Sequence, residues 1–336
     1  METLRTEPEI GSAFTDLAMK NKKVLVVHYS QTGQLTKIVD AICSTLARDN
    51  IEIVHEYLQP KSSYPFPWPL LRFFDVFPES VYLDPPELES LQVNVHTNFD
   101  LIVLAYQVWF LSPALPITAF LKSPQAPILL RDRPVVTLIA CRNMWLMAQE
   151  KMKALLQTCG AKLRDNIVLV DPGPSLVTFI TTPRWLLSGN KGKPGGLLPP
   201  AGVSDSDIAS ASRFGNALAD ALNKDLELQD KPMLTGLKAA VVDPKLIASE
   251  RVGNHSFMIW GRMLRKVGKA GDWRRKPILL IYICFLICLI ITVVPITMLV
   301  KSLLRPLIQN KLDQQKAYFE LPSGSGDERM QEYSRD

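Results

Sequence analysis

The sequence predicts an α/β fold in which helices cover both faces of a doubly wound, five-stranded parallel sheet, followed by a single C-terminal transmembrane helix. Two observations predict the sheet. Short apolar runs rich in β-branched residues recur along the first 170 residues, and segments with helical spacing separate them. A third observation predicts the membrane helix, because residues 277–300 contain no charged side chain.

The first predicted strand and the turn after it organise the chain. Residues 24–27 are apolar throughout, as expected of a strand buried on both faces, and residues 35–46 have helical spacing. The turn between them is polar and contains one glycine: Ser30, Gln31, Thr32, Gly33 and Gln34. Backbone N–H groups at a helix start attract anions, so this turn suits a phosphate. The same residues also suit a plain helix cap, and the turn alone leaves both interpretations open.

The other predicted strands follow in order along the chain. They lie at residues 51–57, 100–105, 134–140 and 167–170. Helices are predicted at residues 116–121, 146–158 and 208–222. Gly160 is a typical residue after a helix end, and Ser204 is a typical residue before a helix start. This alternation of strands and helices predicts a parallel sheet.

Composition divides the chain into five parts. They are an N-terminal extension (1–21), the sheet domain (22–223), a basic amphipathic connector (224–276), the membrane helix (277–300) and a polar tail (301–336). Two proline-rich insertions, residues 59–92 and 171–203, interrupt the sheet domain, and their prolines predict irregular backbone. The aromatic residues of the first insertion favour a lid or an apolar substrate wall, although a loop packed on the core has the same composition.

Charge and cysteine content narrow the functional classes. The 336 residues carry a net charge of +5, without a basic stripe interleaved with aromatics in the first 200 residues, so nucleic acid is not expected as a partner. The five cysteines form no CxxC pair and no Cys/His metal spacing, so neither a disulfide framework nor a metal site is expected. Residues 1–20 lack the apolar run of a signal peptide, which predicts a sheet domain in the cytosol.

The residues that flank the apolar segment predict its orientation. Basic residues are denser before the segment than after it, where Lys301 and Arg305 are nearest. The positive-inside tendency then predicts a single-pass protein of the inner (cytoplasmic) membrane with its main domain in the cytoplasm. The tail is expected on the far side, and the composition of residues 324–329 predicts disorder.

Three loops end at the carboxyl edge of the predicted sheet, where doubly wound folds bind ligands. They are residues 30–36, 106–112 and 141–145. A phosphate turn beside aromatic loops suits FMN, with Trp109 or Trp145 stacked on the flavin ring, although the same aromatics also suit packing against the core. The predicted cofactor-binding residues are Ser30, Gln31, Thr32, Gly33, Gln34, Gln107, Trp109, Asn143 and Trp145.

These loops resemble those of flavodoxins. The phosphate loop of that family reads Ser/Thr-x-Thr-Gly-x-Thr, and residues 30–34 match its first part. Leu35 stands where the family has its last threonine, so one phosphate hydrogen bond is lost and FMN affinity is expected to be weaker. The resemblance covers about residues 22–222 and implies a flavodoxin-like fold with FMN as the cofactor.

A narrower resemblance runs nearly end to end. Residues 64–68, 106–113 and 141–145 and the membrane-facing C-terminus are similar to bacterial dialkylresorcinol condensing enzymes of aryl-polyene and flexirubin-type pathways. This resemblance implies an enzyme that joins or cyclises β-ketoacyl chains to a resorcinol ring. It implies a ketosynthase, an acyl-carrier protein or acyl thioester, and membrane lipid as partners.

Ring closure needs a base that removes a proton next to a carbonyl and donors that hold the enolate oxygen. The catalytic candidates near the strand ends are His28, Tyr106, Cys141 and Arg142. Cys141 equally suits packing, and His28 equally suits a buried polar position. Two further functions stay open: a membrane-tethered FMN-dependent oxidoreductase or electron carrier, and a non-enzymatic scaffold that docks a ketosynthase at the membrane.

Overall fold

The computed structural model describes residues 21–196 and 198–333. The predicted N-terminal extension, residues 1–21, therefore lies outside the described residues except for its last one. Five strands run parallel in one sheet: β1 (Lys22–His28), β2 (Ile51–Tyr57), β3 (Leu101–Trp109), β5 (Pro134–Cys141) and β6 (Lys162–Val170). A two-residue strand, β4 (Ser112–Pro113), pairs antiparallel with the end of β3.

The order of the strands defines the fold. They pair as β2-β1-β3-β5-β6, which is the order of the flavodoxin-like doubly wound fold. This order confirms the predicted fold class. Alternate residues of β1 enter two different cores: Val24 and Val26 pack on one face of the sheet, and Leu25 and Val27 pack on the other. Burial on both faces explains why the strand is apolar without alternation.

Helices cover both faces of the sheet. One face carries α1 (Gln34–Leu46), α8 (Asp205–Ser210) and α9 (Ser212–Asn223). The other carries α4 (Leu115–Lys122), α5 (Ala126–Leu130) and α6 (Leu146–Thr158). This arrangement leaves the carboxyl ends of the strands, and the loops that follow them, along one edge of the domain.

Both insertions contain helices, which corrects the prediction of irregular backbone. The first insertion forms α2 (Leu70–Asp75) and α3 (Phe77–Val81), and the second forms α7 (Ser175–Ser188). Pro69 and Pro78 lie where α2 and α3 begin, positions at which the missing N–H of proline is not needed. Pro183 lies inside α7, a position that the sequence pattern treats as a break.

The predicted connector is in large part integral to the domain. Residues 233–242 pack along β6, where Val168 N donates to Ala239 O at 2.8 Å. The Asp165 carboxylate accepts from the N–H groups of Met233 (2.8 Å) and Leu234 (3.1 Å). The helix α10 (Pro244–Val267) follows. The domain therefore continues well past residue 223.

The apolar segment forms the first part of a longer helix, α11 (Lys276–Glu320), and a short helix, α12 (Met330–Tyr333), follows it. Within the described part of the chain, one stretch, Trp273–Thr292, is long and apolar enough to cross a membrane. Its large apolar side chains include several that are exposed on the domain surface: Leu280, Ile281, Phe285, Ile287 and Ile291.

The tail beyond α11 packs against the sheet domain. The Ser323 hydroxyl donates to the Asp165 carboxylate and accepts from Asn166 N, both at 2.7 Å. Further along, Lys238 N donates to Gly326 O at 2.7 Å. The predictions of a disordered tail end and of a tail separated from the domain by a membrane are therefore wrong. The contacts join residues far apart in sequence, so no local pattern reports them.

Replacing Ser323 tests the docking of the tail. Ser323→Ala removes one of three hydrogen bonds to Asp165 and leaves the buried Asn166 N–H unpaired. The free energy of unfolding is expected to fall by about 2 kcal/mol, as measured by urea denaturation in detergent. Ser44→Ala, at an exposed hydroxyl on α1, is the control and should change it by less than about 0.5 kcal/mol. Equal effects of the two variants would refute the docked tail.

Candidate functional site

The turn between β1 and α1 lies at the switch point of the sheet, between β1 and β3. Gly33 has a φ of 78°, and a β-carbon added to it would meet nothing within 4 Å. The first turn of α1 contains no acidic residue. Ser30 Oγ and Thr32 Oγ accept long hydrogen bonds, both 3.4 Å, from amides at the start of α1. An anion can therefore approach this turn without meeting a side chain at Gly33 or a carboxylate in the first turn of the helix.

Gln31 joins the turn to two neighbouring segments of the protein. Gln31 Nε2 donates to Tyr64 O (3.1 Å) and Pro65 O (2.7 Å), so it fastens the first insertion onto the turn. Gln31 N donates to Gln107 Oε1 at 3.3 Å, which joins the turn to the end of β3. Gln31 and Gln107, predicted to bind the cofactor, therefore brace the loops around it.

Gln34 plays the same bracing role toward the second insertion. Its side-chain amide donates to Val203 O and accepts from Val203 N, both at 3.1 Å. Asp171, just after β6, accepts from Gly202 N at 2.7 Å and so holds the same segment. Leu35 is fully buried in the core beneath the turn. Its side chain packs in the core and offers no hydroxyl group, unlike the threonine that the phosphate-loop pattern has at this position.

An aromatic cluster lies beside the turn. The Trp109 ring meets the rings of Tyr29, Tyr64 and Trp68 edge to face, and the Tyr64 centroid is the nearest at 4.9 Å. The first insertion therefore covers the ring that was predicted to stack on a flavin. Trp145 is 2% exposed and belongs to the hydrophobic core, so the prediction that it stacks on a ligand is wrong.

These residues fit the phosphate end of FMN. Ser30 and Thr32 offer hydroxyl groups, Gly33 leaves room for the ligand, and the start of α1 supplies the positive end of a helix dipole. Trp109 is an aromatic side chain beside the turn that could border the ring. Because Tyr64 lies against Trp109, a flavin ring would have to displace Tyr64 to use the same contact.

A second group of polar residues follows β5. The Arg142 guanidinium lies 3.9 Å from the centroid of the Phe179 ring and donates to Thr178 Oγ1 at 3.2 Å. Burial lowers its pKa to about 10, so it stays charged at neutral pH. No carboxylate within residues 21–196 and 198–333 forms an ion pair with it. Asn143 Nδ2 donates to Ser175 Oγ at 3.0 Å, and its buried Oδ1 has no partner among the described residues.

The other three catalytic candidates are withdrawn into the protein. Burial lowers the pKa of His28 to about 4, and its ring nitrogens have no hydrogen-bond partner among the described residues. The Tyr106 hydroxyl donates to Gln149 Oε1 at 2.7 Å inside the core. Burial raises the pKa of the Cys141 thiol, which stays protonated at neutral pH and is a poor nucleophile. The structure therefore gives none of the three the exposed or ionised group that catalysis needs.

Sequence reasoning missed Glu250. This residue of α10 is fully buried, and its Oε2 accepts from Met147 N at 3.0 Å at the start of α6. Its Oε1 has no partner in the described part of the chain. Burial raises its pKa to about 7, while the nearby Arg142 opposes this shift. The contact joins residues 103 apart in sequence, so no local motif reveals it.

This chain resembles known proteins in three-dimensional structure but not detectably in sequence. No protein-family model and no curated protein sequence matches the chain. A flavoprotein from Lactobacillus acidophilus, solved in complex with FMN, is 19% identical over 44% of this chain and 93% of its own, with a TM-score of 0.36. A flavodoxin from the domain Archaea is 11% identical over 60% and 98%, with a TM-score of 0.35. Flavodoxin 1 from Bacillus cereus is 12% identical over 61% and 98%, with a TM-score of 0.33. The fold assignment rests on the strand order of the sheet.

Proposed function

We propose that this protein is a membrane-associated FMN-dependent oxidoreductase or electron carrier. The supporting observation is the open, non-acidic turn at Gly33, placed at the β1/β3 switch point where the flavodoxin-like fold binds FMN. Ser30, Thr32 and the first amides of α1 hold the phosphate, and Trp109 borders the ring. Bound FMN supplies hydride or single-electron transfer.

The contribution of the phosphate group to flavin affinity tests this proposal. FMN and riboflavin share the flavin ring, so a site built on the Gly33 turn should bind FMN about 30-fold more tightly, or by about 2 kcal/mol. The measurement is quenching of flavin fluorescence by the full chain in detergent, with inorganic phosphate as competitor. Equal affinities for FMN and riboflavin, or no binding of either, would rule out the proposed phosphate site.

A second candidate function is the condensation or cyclisation of β-ketoacyl chains to a dialkylresorcinol beside a partner ketosynthase. Arg142 and Asn143 favour it, because a buried unpaired cation next to an amide can hold a carbonyl or enolate oxygen. Glu250 places a buried carboxyl with a pKa of about 7 near Arg142. An acyl-carrier protein or acyl thioester would deliver the chains.

Arg142→Met tests the second candidate. In a reaction with the partner ketosynthase and β-ketoacyl thioesters, product formation should fall about 100-fold, because an oxygen-binding group at a buried site is lost. Arg184→Met, at a half-buried arginine of α7 that donates to the carbonyls of Asn190 and Gly192, is the matched control and should leave the rate unchanged. Unchanged turnover in Arg142→Met excludes this role. Activity that survives every pocket substitution but is lost with the membrane helix would favour the scaffold.

We infer that the sheet domain and the tail lie together on the cytoplasmic side of the inner membrane. The hydrogen bonds of Ser323 with Asp165 and with Asn166 leave no room for a bilayer between tail and domain. The exposed apolar residues of α11 and the basic residues before it support contact with an anionic lipid surface. The apolar stretch of α11 then contacts the membrane from this side, rather than crossing it once.

Labelling with a membrane-impermeant maleimide tests the side of the tail. Glu328→Cys marks the tail and Lys224→Cys marks the domain, in a background in which the exposed Cys284 and Cys288 are serine. Both sites should react in inverted membrane vesicles and neither in intact spheroplasts. A tail cysteine that reacts only in spheroplasts would restore the single-pass arrangement.

A further inference from the structure

A cavity of about 1050 Å³ lies between the first insertion and the two C-terminal helices. Its walls come from the loop before α2, from α2 and α3, from the end of α10 and from the first turn of α11. Tyr64, Leu115 and Leu279 are among its apolar lining residues. A volume of this size accommodates a small organic ligand, such as the polar end of a lipid. The residues of the Gly33 turn do not line it, so it is distinct from the proposed FMN site.

The acidic residues of the cavity wall are paired with neighbouring arginines. Asp84 pairs with Arg265 at 3.0 Å, and Asp272 pairs with Arg274 at 2.6 Å. Asp75 and Glu79 both pair with the buried Arg275, at 3.3 and 3.2 Å. The cavity therefore retains little uncompensated negative charge.

Three cations of the wall keep their charge available. Arg72 donates to the Ser63 carbonyl at 3.2 Å, and neither it nor Lys269 nor Lys276 forms an ion pair with a described residue. Arginine and lysine side chains bind phosphate oxygens through charge-assisted hydrogen bonds. The uncompensated charge of the cavity is therefore positive and suits a phosphate group.

The cavity also lies next to the start of the apolar stretch of α11. Lys276 and Leu279 belong to the first turn of α11, and the adjacent Leu280 and Ile281 are 51% and 61% exposed. Trp273, directly before this turn, is 72% exposed. Tryptophan and lysine next to an exposed apolar helix mark the membrane interface. A molecule with its phosphate in the cavity can lay its acyl chains along the apolar face of α11.

We propose that this cavity binds the phosphate head group of an anionic lipid through Arg72, Lys269 and Lys276. The lipid would fix the orientation of the domain on the membrane and hold the first insertion, which Gln31 joins to the Gly33 turn. This binding does not depend on the proposed redox function. Failure of FMN binding and failure of lipid binding are measured separately on the same protein.

Titration with dihexanoyl phosphatidic acid, a short-chain lipid with a phosphate monoester, tests this site in the full chain in detergent. Arg72→Gln/Lys269→Gln should weaken binding by about tenfold or more, whereas FMN affinity should not change. Arg262→Gln/Lys266→Gln is the matched control, because it removes the same charge from exposed positions of α10 outside the cavity. The control should change lipid affinity less than about threefold.

Three outcomes would overturn the proposal. Equal losses in the two double variants would mean that diffuse surface charge binds the lipid. Competition by inorganic phosphate at the same concentration as the lipid would assign the cavity to free phosphate. Undiminished binding in the cavity variant would exclude these side chains. Lys269→Glu, at an exposed position, serves as a second variant should the double substitution fail to fold, and it should reduce binding at least as much.

Discussion

Replacing Gly33 with aspartate is expected to weaken FMN binding about 100-fold or more. The new carboxylate would project into the open space beside Gly33 and repel the phosphate at the start of α1. The φ of 78° adds backbone strain, because residues with a β-carbon rarely adopt it. The measurement is the dissociation constant of FMN from fluorescence quenching, compared with that of the wild-type chain.

Gly195→Asp separates the charge effect from backbone strain. Gly195 also has a positive φ, 57°, and open space beside its α-carbon, but it lies in the second insertion away from the turn. Its substitution imposes similar strain on the backbone and should leave FMN affinity within about twofold. If Gly33→Asp binds FMN as the control does, the phosphate does not lie at this turn.

The ionisation of Glu250 is expected to make the free energy of unfolding depend strongly on pH. Its pKa rises from 4.5 in the unfolded chain to about 7 in the folded protein, because burial outweighs the N–H groups it accepts from. Between these two pKa values the folded state binds more protons than the unfolded chain. The contribution of protonated Glu250 to the free energy of unfolding is therefore complete below about pH 4.5 and is lost as the pH rises through about 7. The difference corresponds to about 3 kcal/mol of unfolding free energy.

Glu250→Gln should therefore flatten the pH dependence of stability. Relative to the wild-type chain, the variant is expected to gain stability as the pH rises from 5 to 8, because glutamine does not ionise. Asp165, whose pKa burial raises to about 6, adds a slope of the same sign to both proteins and cancels in the comparison. Glu89→Gln, at an exposed carboxylate, is the control. If the melting temperatures of the wild-type chain and of Glu250→Gln change in parallel with pH, the pKa of Glu250 is not raised in the folded protein.

The sheet was predictable because its signals are local. The run of β-branched residues in β1 reflects the burial of this strand on both faces of the sheet. The polar turn that follows it reflects the start of α1. The same holds for β3 and β5, and together these strands place the three loops at one edge. The position of the turn at the switch point therefore follows from the sequence.

The remaining features depend on contacts between distant residues. Position near a strand end did not reveal that Tyr106, in β3, and Trp145, directly before α6, pack into the core. Neighbouring residues of a strand face opposite sides, so the position of Tyr106 in β3 does not by itself show which way its side chain points. Glu250 reaches Met147 and Ser323 reaches Asp165 across more than 100 residues. Such pairs are set by the tertiary packing of α10 and of the tail, which composition alone described as a connector and a disordered end.

FMN binding is tested most directly by the visible absorption spectrum of the full chain, purified in detergent, before and after addition of FMN and removal of the unbound excess. The open turn at the switch point predicts a flavin spectrum, shifted from that of free FMN, at about one flavin per chain. A protein that stays colourless after incubation with FMN would contradict the flavin-dependent function. It would leave Arg142 and Asn143 as the chemical centre of the site.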